Sequence, residues 1–254
     1  MTTRIAFAIV PIFMLSSCRQ PQPKEAAKAP VEYFKVDRAT AGSISGKIFF
    51  KGKKPPVKRV DMEEDPQCAK LHKSAVLVAP VAVNRNGTIA NVFVYVKQGL
   101  EGKQFEQPSA AVTMDQKGCW FEPHVLGIQT GQPFRVTNSD PVTHNIHPRP
   151  KLNREWNQSE PPGEPPLMRK FLQPEVMIRV KCNIHPWMHA WIGVVDHPYF
   201  AVTGEDGGFQ LANLPPGNYT LEAWQEELGT RQQQVSVAPS GKAAVDFTFM
   251  GEEK

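Results

Sequence analysis

The chain has 254 residues, 41% apolar and 21% charged, with 29 basic against 25 acidic side chains for a net charge of +4. That length buries a core without a disulfide scaffold and fits one large or two modest domains. The 18 glycines and 24 prolines disfavour a helical bundle, and no dense basic block follows the N-terminus, so nucleic acid is not an expected partner.

Arg4 precedes an apolar run from Ile5 to Leu15 that Pro11 interrupts. The run is too short to span a bilayer and fits the hydrophobic region of a secretory signal. It ends in Leu15-Ser16-Ser17-Cys18, which resembles a bacterial lipobox. The resemblance implies a signal peptide over residues 1–17, acylation of Cys18, and a protein facing the periplasm or cell surface, held to the membrane by lipid only. An ordinary signal peptide with a chance cysteine is the alternative. Residues 18–43, rich in Pro, Ala and Lys, are predicted to be an extended tether.

Beyond the tether, strands are predicted almost throughout. Ile44–Phe50 is a first strand, and Ala75–Val83 with Thr88–Lys97 is predicted as a hairpin around Asn86-Gly87. Asp65-Pro66-Gln67-Cys68 fits a single helical turn with Asp65 as its cap. Strands follow at Val125–Gln129, Pro133–Asn138, Leu167–Leu172, Val176–Lys181 and Trp191–Val195, with a long polar loop over residues 149–166. After His197-Pro198, short strands alternate with Gly- and Pro-rich turns, and Pro216-Gly217 suits a type II turn. The expected fold class is all-β, built of β-sandwiches.

An exported chain meets an oxidising compartment. Setting Cys18 aside leaves Cys68, Cys119 and Cys182. Cys68 and Cys119 have no metal-ligating neighbour at a familiar short spacing, whereas Cys182 has His185. A Cys68–Cys119 disulfide is therefore expected, with Cys182 left as a ligand; a Cys119–Cys182 bond is the main alternative.

The chemistry concentrates in two segments, residues 133–147 and 176–189. In the second, Val176, Ile178, Val180 and Cys182 share one strand face, so Cys182 reaches the strand end on the buried side. His185 and Met188 then fall on the following loop, and His144 is the best candidate for a second imidazole. Two imidazoles, a thiolate and a weak thioether suit a mononuclear copper electron-transfer site, with zinc as the alternative metal.

From about Ala111 to Val195 the chain resembles a cupredoxin. The resemblance rests on Gly131-Gln132, Asn138 and Asp140, His144-Asn145, and the closing Cys182-x-x-His185 loop that carries Met188. It implies a Greek-key β-sandwich with His144, Cys182 and His185 as equatorial ligands, Met188 axial, and Asn145 tying the ligand loops together. Only Pro186 and Trp187 separate His185 from Met188. That spacing resembles the binuclear copper-A loop, but the second loop cysteine is absent, so one copper is expected. His189 is the alternative axial ligand, and His147 and His189 are alternatives for an accessory site. His72, His124 and His197 are read as structural, and Trp187 and Trp191 as packing residues.

Residues 198–249 resemble the carboxypeptidase regulatory-like and transthyretin-like sandwiches through Val202–Phe209 and Leu214–Leu221. Ile44–Gly52 resembles the first strand of the same sandwich. The expected organisation is a cupredoxin-like domain over residues 44–197 and a smaller immunoglobulin- or transthyretin-like sandwich over 198–254, with 44–52 shared between the two readings. The leading function is an exported, lipid-anchored electron carrier, more a carrier or binding protein than an enzyme, whose partner is a redox protein such as a cytochrome or copper oxidase. A metal enzyme using the Cys-His-His set and a cell-surface module contacting glycan or protein through the C-terminal sandwich are the alternatives.

Overall fold

A computed structural model of the chain describes residues 31–251. The expected signal segment, Cys18 and the first part of the tether lie outside the described residues. The N-terminal part carries β1 (Gly42–Lys51), β2 (Lys58–Val60), α1 (Pro66–Lys70), β3 (Val76–Val78) and β4 (Phe93–Gln98). The middle carries β5 (Val112–Lys117), β6 (Trp120–Glu122), β7 (Val125–Gln129), β8 (Phe134–Asn138), β9 (His144–Arg149), β10 (Gln158–Glu160), β11 (Leu167–Arg169), β12 (Glu175–Lys181) and β13 (His189–Val195). The C-terminal part carries β14 (Phe200–Val202), β15 (Gly208–Leu214), β16 (Gly217–Gln225), β17 (Gly229–Val237), β18 (Lys242–Ala244) and β19 (Phe247–Met250). The all-β class read from the sequence is the class observed.

The middle strands form one sandwich. A sheet in the order β10-β9-β12-β13-β7 and a sheet in the order β11-β8-β5-β6 bury a common core that includes Met114, Phe134, Val136, Ile146, Ile178, Val180, Ile192 and Val194. A second sandwich has β1 between β15 and β18, with β19 beside it, against a sheet in the order β14-β4-β16-β17. Its core includes Ile44, Ile48, Val94, Val96, Leu211, Leu221, Phe247 and Phe249. Alternation along β1 and β16 supplies this core by the two-residue period of a strand.

The domain boundary drawn at residues 197/198 does not separate these two sandwiches. β1 pairs with C-terminal strands, as the resemblance of Ile44–Gly52 implied, and β4 unexpectedly does so too, lying between β14 and β16. The predicted hairpin of residues 75–83 with 88–97 reduces to a Val83↔Ile89 bridge around the Asn84–Thr88 turn. β3 instead pairs with β2. The reason lies in β4 itself. Val94 and Val96 face the second core, while Phe93 and Tyr95 face a third cluster with Val125 and Val195. A strand buried on both faces is apolar throughout, and its sequence pattern does not name its neighbour.

Phe93 is the joint between the sandwiches. A Cβ added at Gly193 of β13 would lie 2.5 Å from the Phe93 ring, and one at Gly127 of β7 would lie 2.4 Å from Phe200. Both strands expose bare backbone so that aromatic rings from the other sandwich can sit on them.

Four local expectations also change. The tether does not run to residue 43: Phe34 donates its N–H to Gln104 O at 2.6 Å and packs edge-on to Phe105. The 149–166 loop contains β10, which pairs with β9. Val176 is exposed rather than on the buried face, because the β12–β13 register slips between Glu175 and Ile178. The Pro216-Gly217 turn is not type II: Gly217 already begins β16, and the left-handed residue at this reversal is Asn213, with φ 57°.

Candidate metal centre

His144 opens β9, a strand of the middle sandwich buried along most of its length. Cys182 follows the last residue of β12, and the loop from Cys182 to Met188 leads into β13. Two backbone hydrogen bonds close that loop: Cys182 N–H donates to Met188 O at 3.1 Å and Met188 N–H to His185 O at 3.0 Å. A short loop on two paired strands can hold its side chains in fixed positions, as a precise site requires.

The geometry brings His144, Cys182 and His185 together, their donor atoms all within 4.8 Å of one another. They are 0%, 3% and 1% exposed, respectively. His144 Nδ1 lies 2.9 Å from His185 Nδ1, and Cys182 Sγ lies 3.7 Å from His185 Nδ1. The sulfur also receives N–H groups from Asn145 at 3.5 Å and His185 at 3.4 Å. Such donors stabilise negative charge on sulfur. Among the described residues Cys182 is the free cysteine; Cys68 and Cys119 are joined in a disulfide. Met188 is fully buried in the core cluster that contains Cys182.

Each imidazole is braced from behind. His144 Nε2 meets Asp140 Oδ2 at 2.9 Å, and His185 Nε2 meets Asp65 Oδ2 at 2.9 Å. A carboxylate only accepts, so each Nε2 carries a hydrogen, and in the neutral ring each Nδ1 then presents a lone pair. The two Nδ1 lone pairs then face each other at hydrogen-bond distance with nothing to donate between them. Burial holds the His144 pKa below its ordinary value against the opposing pull of Asp140, so a proton is poorly held there. The Asp65 carboxyl is held below its ordinary range chiefly by its hydrogen bond to His185.

The braces are themselves anchored. Asp140 accepts N–H groups from Gly118 and Cys119, both at 2.7 Å. Asp65 caps α1, accepting from Gln67 N–H at 2.8 Å and Cys68 N–H at 3.2 Å, as an Asp-Pro start predicts. The Cys68–Cys119 disulfide therefore joins the segment behind one imidazole to the segment behind the other. Asn145 accepts the Asn183 N–H and donates to Asn157, which ties the His144 strand to the Cys182 loop.

Other candidates lie elsewhere. His147 is held by Glu155 at 2.7 Å and Asn183 at 3.2 Å, outside the cluster of His144, Cys182 and His185. His189 points to Glu226 and to the Trp187 carbonyl. His72 and His197 bond to the carbonyls of Gly118 and Val96. Trp187 caps the loop by donating to Cys119 O at 3.2 Å. Asp65 and Glu226 went unnoticed as site residues in the sequence. Asp65 lies 120 residues from the histidine it orients, and no local spacing could connect them.

Residues 189–250 match the family model of the carboxypeptidase regulatory-like domain. The match begins in β13, a strand of the middle sandwich, and runs through β14–β19. Among solved structures, the chain is similar to a Cu-containing nitrite reductase from Thermus scotoductus SA-01, at 22% identity over 39% of this chain and 25% of that one, TM-score 0.33. It is also similar to a purple cupredoxin from Nitrosopumilus maritimus, at 20% identity over 32% of this chain and 97% of that one, TM-score 0.28. A third is pseudoazurin from Methylobacterium extorquens AM1, at 18% identity over 35% of this chain and 77% of that one, TM-score 0.30. The chain spans a quarter of the nitrite reductase. At these scores the likenesses carry no argument about the site, which stands on its own residues. No curated protein matches the chain.

Proposed function

We propose that the protein is an electron-transfer protein in which His144, Cys182 and His185 would hold one copper ion, with Met188 as a further, weaker thioether donor. The observation that carries this reading is the pair of facing Nδ1 atoms, 2.9 Å apart beside the Cys182 sulfur. Two imidazole lone pairs and a sulfur that accepts two N–H groups form a donor set for a soft or borderline cation. Copper, when bound, would supply a one-electron couple.

The chain's own residues account for the rest. His144 and His185 are oriented through Nε2 by Asp140 and Asp65. Asn145 and the Cys182–Met188 hydrogen bond hold the loop in one shape, so the donors need little movement when charge changes. Met188, Trp187 and α1 keep water away. Burial of all three donors supports a carrier over an enzyme, because turnover needs an open coordination position. The export signal and the Cys18 lipid would place this carrier at a membrane surface outside the cytoplasm, with a cytochrome or copper oxidase as its redox partner. A glycan-binding role for the C-terminal sandwich finds no favouring observation: Tyr219 is buried with its hydroxyl on Pro215 O, and Trp224 packs at a tilt against Trp191.

The test is addition of Cu(II) to the mature chain, followed by visible absorption and electron paramagnetic resonance. An intense sulfur-to-copper band that disappears in Cys182→Ser is expected. Absence of that band while the Cys182 thiol is free would overturn the reading.

A further inference from the structure

His124, His189 and Glu226 form a separate group whose donor atoms lie within 4.8 Å of one another. They come from three places: the turn between β6 and β7, the first residue of β13, and the turn between β16 and β17. Each is partly exposed, and together with Leu77, Val78 and Pro80 they line a cavity of about 640 Å³. His124 Nε2 lies 2.8 Å from Glu226 Oε1, and His189 Nε2 lies 3.4 Å from Glu226 Oε2.

With a neutral His189 the hydrogen bonding at this cluster is one cation short, a place that a proton or a metal ion would take. His189 Nδ1 lies 3.1 Å from the Trp187 carbonyl, which only accepts, so this nitrogen carries a hydrogen. In the neutral ring Nε2 is then a lone pair, and it faces a carboxylate oxygen. Glu226 is fixed in place from another side, because Trp191 Nε1–H donates to Oε2 at 2.6 Å. Trp191 N–H in turn bonds the His124 carbonyl at 2.9 Å, which pins the turn that carries His124. The three donors are thus positioned by backbone and indole contacts rather than by one another alone.

We propose that His124, His189 and Glu226 form a second metal site, open to solvent, for a borderline divalent transition-metal ion of the copper(II) or zinc(II) class. Two imidazole nitrogens and one carboxylate suit such an ion, and the cavity leaves room for water or another small ligand to complete its coordination. The sulfur-free donor set makes this site chemically unlike the buried one. The Cys182–His189 segment serves both, since His189 directly follows Met188. The proposal does not depend on the buried site.

The experiment uses Cu(II) as probe on the mature chain, with bound metal counted after dialysis and its spectrum recorded by electron paramagnetic resonance. Expected are two Cu(II) per chain, one of them with a nitrogen- and oxygen-ligated spectrum and no intense visible band. Glu226→Gln and, separately, His124→Gln should each remove that ion, lowering the count from two to one. Neither lies in the Cys182 loop, so any band that depends on Cys182 should stay. In Cys182→Ser, the nitrogen- and oxygen-ligated ion should remain and should vanish when Glu226→Gln is added, whatever the buried site does. Persistence of that ion in both Glu226→Gln and His124→Gln, or its absence from both the parent chain and Cys182→Ser, would overturn the proposal.

Discussion

At the scale of single residues, the site depends on what stands behind its imidazoles. Asp140 holds His144 through Nε2 while receiving two backbone N–H groups, so its side chain cannot swing without losing three bonds. Removing such a partner costs roughly 10–100-fold in metal affinity in comparable sites. Asp140→Asn is therefore expected to weaken copper binding by about that factor, measured by competition against a chelator, with unfolding monitored alongside. Unchanged affinity in a folded variant would show that His144 needs no brace. Asp140 sits four residues before His144 and was legible in the sequence as part of the Asn-x-Asp pattern. Asp65 was legible only as a helix cap. Its bond to His185 is created by α1 packing against the Cys182–Met188 loop.

At the scale of elements, the disulfide and the joint between sandwiches are the fixed points. The Cys68–Cys119 bond closes a separation of 51 residues; in the chain-entropy account a loop of that size is worth about 4 kcal/mol. Replacing both cysteines with alanine should lower unfolding stability by roughly 2–5 kcal/mol in denaturant titration. Because Cys68 lies on the helix capped by Asp65 and Cys119 donates to Asp140, the same variant should also bind copper more weakly. Loss of stability with unchanged affinity would separate the disulfide from the site. At the joint, Gly193→Ala places a methyl group 2.5 Å from the Phe93 ring, and overpacking of this kind typically costs about 1–3 kcal/mol. Equilibrium unfolding of that variant checks whether the two sandwiches pack as tightly as the geometry requires; wild-type stability would show that Phe93 yields freely.

At the scale of the whole molecule, the described residues from Tyr33 onward form one compact unit, and the second sandwich has a polar network on the two inner strands of one sheet. Glu222 of β16 receives Tyr95 Oη–H at 2.7 Å and ion-pairs with Lys97 at 2.5 Å, both from β4. Burial opposes its ionisation, but the bonds from Lys97, Tyr95 and Gln232 outweigh burial and hold its carboxyl below the ordinary value of 4.5. A depressed folded pKa stabilises the fold above the unfolded value and loses that contribution as pH falls through the folded one. The melting temperature should therefore fall on acidification below about pH 4.5, and Glu222→Gln should show a shallower fall. Parallel curves for the two chains would mean that Glu222 contributes nothing to acid sensitivity. On the alkaline side, burial pushes the Tyr199 phenol up to about 12, so its contribution is present below the usual value of 10 and lost as pH rises toward 12.

The sequence by itself determined the all-β class, the capped turn at Asp65, and the Cys182-x-x-His185 loop. Each rests on short-range physics: two-residue alternation, a side chain reaching its own backbone, and two donor side chains spaced along one loop. It also singled out His144 through the resemblance of His144-Asn145 to the cupredoxin pattern, although the strand that carries it, β9, was not among the predicted ones. Only the tertiary structure decided which sandwich claims β4, where Phe93 lodges, and which carboxylates stand behind His144 and His185. Those features join segments up to about 130 residues apart through packing on both faces of a strand or a single hydrogen bond. Such contacts leave no period or spacing in the chain; they exist only where folding brings the partners together.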